Sequence, residues 1–331
     1  MPPARRTHCA RSGPARRTGA ALAGAALALA LLPAPAAAHQ AYPGYTVSRY
    51  VPLSGAASDI GAARSAGCSE GEVGRSGPRV LFFGTQEAGG ELRQPGTSAG
   101  SGTPRVPADR AVQAAAAWAE GFEDCASGGA EAVLALGVNN KSDGKVSGSR
   151  AGSAWADLVD RAAARVSGGR VSVAGAVDAE PEWSSASWAR AWVDAYTSGS
   201  STRLYAANSA GGCPQYGSSS TSCNNGWSLS DVHYVSAGAS NRIRAVPQIY
   251  RTDGTQARQW AAVSAWGADH GGGPVRFAGS MSQRIACKQR GGCERTDNTA
   301  KAAWTQLREE LNSHPDTRIG DLPYATDVRW P

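Results

Sequence analysis

The chain has 331 residues, 33 Lys and Arg against 27 Asp and Glu, a formal charge of +6 and 41% hydrophobic content. Five of those cations, Arg5, Arg6, Arg11, Arg16 and Arg17, fall in the first 38 residues, which hold no acid, and the rest of the chain is left with 28 basic residues against 27 acidic ones. A basic nucleic-acid-binding surface is therefore excluded, because the positive excess is confined to one terminal segment and no basic stripe interleaved with aromatics remains.

That segment has an arginine-bearing start, an Ala/Leu-rich stretch from Gly19 to Leu32 and small residues at Ala36-Ala37-Ala38. It reads as a secretory signal peptide cleaved after Ala38, too short and wrongly flanked for a membrane span. Arg16-Arg17 leaves open whether export is general or twin-arginine. Cleavage there makes His39 the new terminus, where an N-terminal His can chelate copper with a second one. The long helices expected below argue against the β-sandwich of copper monooxygenases, so no metal or cofactor is assigned.

Residues 39–331 read as one domain of eight short apolar runs, near 45–50, 79–85, 132–138, 171–178, 203–208, 232–236, 245–250 and 275–281. Helical patterns separate several of them, at 108–125, 152–166, 184–197, 255–267 and 297–312. In the third, Ser184 or Ser185 caps a turn after which Trp188, Trp192, Ala195 and Tyr196 recur at helical spacing. Short, wholly apolar strands alternating with helices imply a parallel sheet covered by helices. Eight such units fit a (β/α)8 TIM-type barrel, with a doubly wound open parallel sheet as the alternative. The Gly/Ser/Pro-rich stretches 87–107 and 214–226 read as loops following strands.

Six cysteines lie beyond the leader: Cys68, Cys125, Cys213, Cys223, Cys287 and Cys293. An even count in an exported chain favours disulfides over zinc, for which no CxxC is present. Spacing suggests Cys213 with Cys223 and Cys287 with Cys293, which leaves Cys68 for Cys125, although six cysteines allow 15 connectivities.

The fourth run, Val171-Ser172-Val173-Ala174-Gly175-Ala176-Val177-Asp178-Ala179-Glu180, carries an apolar strand into two carboxylates. Alternation places Asp178 and Glu180 on one face with their Cβ atoms roughly 6.5 to 7 Å apart. At a barrel mouth such a pair suits acid/base work on a glycosidic bond, with Glu180 as acid and Asp178 as base, nucleophile or orienter. The competing reading is a strand end with solvated or ion-paired acids. Other strand ends are rich in amides and aromatics, and Asn139, Asn208, Gln248, Tyr205, Tyr250 and Trp183 are the candidate sugar-binding residues. Any one of these has packing or hydration as its plainer explanation.

Gly175-Ala176-Val177-Asp178-Ala179-Glu180 resembles the Asp-x-Glu strand of family 25 glycoside hydrolases, the lysozyme-like muramidases, and of related secreted barrels. Arg203-Leu204-Tyr205-Ala206-Ala207-Asn208 is similar to that family's next strand, Val246-Pro247-Gln248-Ile249-Tyr250 to its later Trp-Gln-Tyr strand, and Gly44-Tyr45-Thr46-Val47-Ser48 to its opening Gly-x-Asp-Val-Ser strand. The resemblance implies that Asp178 and Glu180 are catalytic and that the substrate is a cell-wall or extracellular polysaccharide. It also puts Thr46 where the family has an acid, which implies either a weakened enzyme or a sugar-binding pseudoenzyme. No GxSxG elbow, P-loop, HExxH or dinucleotide fingerprint is present. The expected partner is therefore a glycan, with no nucleic acid, no membrane span and a monomeric chain.

Overall fold

A computed structural model describes residues 40–166 and 169–331, so the leader and His39 lie outside the described residues. The strands are β1 (Thr46–Tyr50), β2 (Gly77–Phe82), β3 (Thr85–Glu87), β4 (Glu91–Arg93), β5 (Arg105–Pro107), β6 (Ala132–Asn139), β7 (Val171–Asp178), β8 (Leu204–Ala206), β9 (Ile243–Ala245), β10 (Gly279–Ser282) and β11 (Tyr324–Arg329). The helices are α1 (Ala57–Val73), α2 (Asp109–Cys125), α3 (Gly148–Val166), α4 (Ala186–Gly199), α5 (Leu229–His233), α6 (Thr255–Asp269), α7 (Arg284–Arg290) and α8 (Ala300–Asn312).

Eight strands form one parallel sheet in the order β10-β11-β1-β2-β6-β7-β8-β9. Two isolated parallel bridges, Ala245 to Phe277 and Gln248 to Met281, span the remaining gap between β9 and β10. The ladder is broken there at Pro247, which has no N–H to donate and serves only as acceptor from the Met281 amide at 2.9 Å. The result is a nearly closed α/β barrel of the TIM type, as expected, and not an open doubly wound sheet.

The barrel interior is filled by pairing small with large: Ala135, Ala174, Ala176 and Ala207 face Phe82, Tyr205 and Met281. Outside the strands, Trp118 of α2, Trp155 of α3, Trp192 of α4 and Trp260 of α6 are each no more than 1% exposed and anchor the helical layer. Disulfides join Cys68 to Cys125, Cys213 to Cys223 and Cys287 to Cys293, the pairing that spacing suggested. Among the described residues no helix is long and apolar enough to cross a membrane.

Three assignments are corrected. Residues 232–236 are not a strand: they lie in α5 and the π-helical turn Tyr234–Gly238 that continues it. Two apolar valines suggested β structure, but Ser228 accepts from the Asp231 amide while Asp231 accepts from the Ser228 amide, a reciprocal cap that starts a helix. The eighth strand is instead β11, whose residues show no apolar alternation. Its inward Thr326 takes part in a hydroxyl network, bonding Ser48 Oγ at 2.8 Å and donating to Thr46 O at 3.0 Å, so this sector of the barrel is packed with polar groups that satisfy one another. Finally, the stretch 87–107 is not an irregular loop but the greater part of a three-stranded antiparallel sheet, β3-β4-β5.

Helix α1 lacks a sequence stripe of large apolar residues because it packs through small ones. A Cβ added to Gly67 would lie 1.9 Å from the Trp118 carbonyl oxygen of α2, and one on Gly121 would lie 2.0 Å from that of Arg64. The same close approach joins α3 to α4, where a Cβ on Gly152 would meet the Trp192 carbonyl at 2.1 Å. We expect Gly67→Ala to destabilise the fold by about 1–3 kcal/mol, because the added methyl must push two disulfide-tied helices apart. A urea unfolding midpoint equal to that of wild type would show that the helices separate at no cost.

Candidate active site

Strand β7 points Ala174, Ala176 and Asp178 along one face into the barrel, so Asp178 arrives at the C-terminal mouth, where sites of this fold form. It is 6% exposed, and Glu180, two residues on, is partly exposed. The backbone between them is clamped by two buried amides. Asn208 Oδ1 accepts from the Ala179 amide at 2.8 Å while its Nδ2 donates to Ser236 Oγ at 2.9 Å. Asn140 Oδ1 accepts from the Glu180 amide at 3.0 Å while its Nδ2 donates to Glu180 O and Ser184 Oγ.

A single nitrogen joins the two acids. Gln248 Nε2 donates to Asp178 Oδ1 at 2.7 Å and to Glu180 Oε1 at 3.2 Å, so the carboxyl groups lie within two hydrogen-bond lengths of each other. Burial, reinforced by the neighbouring Glu180 charge, raises Asp178 well above the ordinary carboxylate range, with Lys141 and the Gln248 bond opposing. Burial likewise pushes Glu180 up to about 7, against the Gln248 bond and with help from Glu182. Two close acids in a desolvated setting cannot both ionise cheaply, so the pair retains a proton into the neutral range.

The mouth holds a cavity of about 160 Å³ lined by Asp178, Tyr50, Asn139, Lys141, Trp183, Arg290 and Trp330, among others. Two cation–aromatic pairs border it: Lys141 Nζ lies 4.9 Å from the Trp183 ring centroid and the Arg290 guanidinium 4.4 Å from that of Trp330. Tyr50 accepts a hydrogen bond from Gln283 Nε2 at 2.7 Å, and its ring lies 4.9 Å from Trp330. Burial and the adjacent acids push the Tyr50 phenol up; burial, then Tyr50 and the acids, do the same to Tyr250. Both therefore stay protonated, which fits hydrogen-bond donors.

Of the residues singled out in the sequence, Asp178, Glu180 and Gln248 converge, Asn139 and Trp183 line the cavity, and Tyr250 is buried close enough to feel both acids. Tyr205 and Asn208 stand apart: at 1% and 0% exposure they are inside the barrel core and under the β7 end, so they support the mouth instead of facing it. Tyr50, Lys141, Arg290 and Trp330 are the additions. Tyr50 was readable as the residue ending the first apolar run, and Lys141 as following Asn139-Asn140. Trp330 follows the unrecognised eighth strand, and nothing local marks Arg290.

A second carboxylate across the cleft would have to come from another strand end or loop, but Asp59, Glu87, Asp143 and Asp253 all stay outside the cavity lining. Asp143 pairs with Arg93, and Glu87 with Arg93 and Arg105 at 3.3 and 3.1 Å. Asp59 accepts from the Ser54 and Gly55 amides, and Asp253 from that of Thr255. Thr46 opens β1, where its hydroxyl donates to Pro78 O at 2.6 Å. It sits about 13 Å along the strand from Tyr50, so the mouth position on β1 belongs to the tyrosine. The one metal-spaced cluster among the described residues, Cys68, Glu72 and Cys125, has both sulfurs in a disulfide.

The fold and site together define an α/β barrel with a hydrogen-bonded carboxyl pair at its C-terminal mouth. No family model matches the chain, and no curated protein matches it.

Proposed function

We propose that this is a secreted glycoside-hydrolase-like barrel that takes a cell-wall or extracellular polysaccharide across the mouth and cleaves it by carboxyl acid/base chemistry. The observation carrying the reading is the Asp178–Gln248–Glu180 bridge, which keeps a proton on the pair near neutral pH beside a cavity walled by tryptophans. Glu180, the more exposed of the two, protonates the glycosidic oxygen; Asp178, held deeper by Gln248, steadies the developing positive charge or orients the attacking group. Trp183 and Trp330 offer ring faces to sugars, while Lys141 and Arg290 hold them in place. The likeness of the β7 motif to family 25 glycoside hydrolases supports the same chemistry, and the leader and three disulfides support export.

The alkaline limb of the activity follows from Glu180. With its proton lost near pH 7, kcat/KM should fall tenfold per pH unit above that point. A rate of reducing-end release from peptidoglycan or chitin that stays flat from pH 6 to 9 would remove Glu180 as the acid.

A second reading, a barrel that binds glycans without cleaving them, is favoured by Tyr50 standing where an acid would face the pair. Co-sedimentation with insoluble polysaccharide together with no reducing ends would select it. Failure to bind any polysaccharide would dismiss both readings.

A further inference from the structure

A second cavity, of about 370 Å³, lies on the helix side of the sheet near the mouth, and Tyr50 at the end of β1 borders both. Its lining is apolar where α1 and α2 meet the sheet, at Ala62, Ala66, Leu81 and Trp118, and cationic at Arg49 and Arg329; one carboxylate, Asp59, also borders it, with its oxygens taken by the Ser54 and Gly55 amides and the Ser54 hydroxyl. These two arginines are register partners on the neighbouring parallel strands β1 and β11, so their Cα atoms are about 4.8 Å apart. Among the described residues neither forms an ion pair, and the Nε of Arg49 is buried with no hydrogen-bond partner. Trp118, 1% exposed, likewise has an orphaned indole N–H. Glu70, the acid whose charge reaches Arg49, is already engaged by Arg79 Nε at 3.0 Å and by the Val47 amide.

Two adjacent guanidinium groups, one of them largely desolvated and pressed by the charge of the other, are costly to keep without an anion. Their position over an apolar floor, with unpaired donors in the same cavity, matches an oxyanion on a short apolar stem, since an arginine fork fits a carboxylate or phosphate through paired N–H bonds.

Resting on the glycan reading of the adjacent mouth, we infer that this cavity is a subsite for an acidic substituent of the bound saccharide, held by Arg49 and Arg329. In this arrangement the sugar ring lies against Tyr50 and the tryptophans at the mouth, while its acidic arm passes over the end of β1 to the arginines on the helix side. Lys141 and Arg290, both without ion pairs among the described residues, give the mouth itself the same preference for an acidic glycan.

The test is calorimetric titration of the full chain, wild type against Arg49→Gln, Arg329→Gln and the double variant. The probes are a glucuronate-bearing tetrasaccharide of hyaluronan, the same tetrasaccharide with its carboxyls reduced, and inorganic phosphate. Arg329 is exposed, so its variant is safe for folding, and thermal melts check the others. We expect wild type to prefer the acidic tetrasaccharide over the reduced one at least tenfold, and the double variant to bring that ratio close to one. An unchanged ratio in the double variant, or no preference in wild type, overturns the subsite. If neither saccharide binds but phosphate does, and loses affinity at least tenfold in the double variant, the anion site stands and the glycan reading has failed. Phosphate bound equally by wild type and variant, with no saccharide preference, removes the anion site as well.

Discussion

Glu180→Gln is expected to lower turnover on a cleavable polysaccharide by on the order of 10²- to 10⁴-fold, the contribution of a positioned general acid. The amide retains the shape of the carboxyl and can still meet Gln248 after a flip, but it has no proton to give. Stability should move the other way. Because burial raises Glu180 above its unfolded value, the folded state binds more protons than the unfolded state between roughly pH 4.3 and 7. Its contribution is therefore full below the unfolded pKa and is lost as pH rises through about 7. At pH 8 the variant should melt no lower than wild type, and above pH 4.5 its stability should decline less with rising pH. Asp178→Asn should behave alike in stability, since Asp178 is shifted in the same direction. Wild-type turnover in Glu180→Gln would remove the acid assignment, and a large drop in melting temperature would show that the pair supports the fold instead of straining it.

The largest stability effect is expected at Glu70, far from this site. Arg79 on β2 is wholly buried between sheet and α1, and its charge is met by Glu70 Oε2 at 3.0 Å. The remaining guanidinium donors reach the carbonyls of Gly77 and Arg75, and Phe122 lies 5.4 Å away. Glu70→Ala strands that cation and should cost about 3–5 kcal/mol, whereas replacing both partners with apolar residues of similar volume, as in Glu70→Leu with Arg79→Met, should cost far less or nothing. Chemical unfolding of the single and double variants separates the cases. A double variant as unstable as the single would mean that the pair is valued for packing and not for charge compensation.

The fold class was legible because a strand buried on both faces must be apolar along its length, as in Val171–Asp178, and because helices such as α4 announce themselves by caps and spacing. Legibility failed where burial was achieved by other means. Thr46 and Ser48 of β1 and Thr326 of β11 bond one another in the barrel, so β11 carried no apolar period. The glycines of α1 bring backbone against backbone, so that helix showed no large stripe. In α5, apolar valines suggested a strand where a serine–aspartate cap decided for a helix.

Alone, the sequence determined the placing of Asp178 and Glu180 on one face of one strand and suggested the two short-loop cysteine pairs, since loop length and the two-residue alternation of a strand are local properties, while the choice among 15 connectivities waited on the fold. Tertiary structure decided what surrounds them. Tyr50 ends β1, Gln248 follows β9, Arg290 ends α7 and Trp330 follows β11, and no short-range pattern links these positions. They meet because a parallel sheet of eight strands curls until β11 pairs with β1, which delivers every strand end to the same mouth. The proton held on the acid pair comes from that closure, because only there do desolvation and a shared amide nitrogen act on both carboxyls at once.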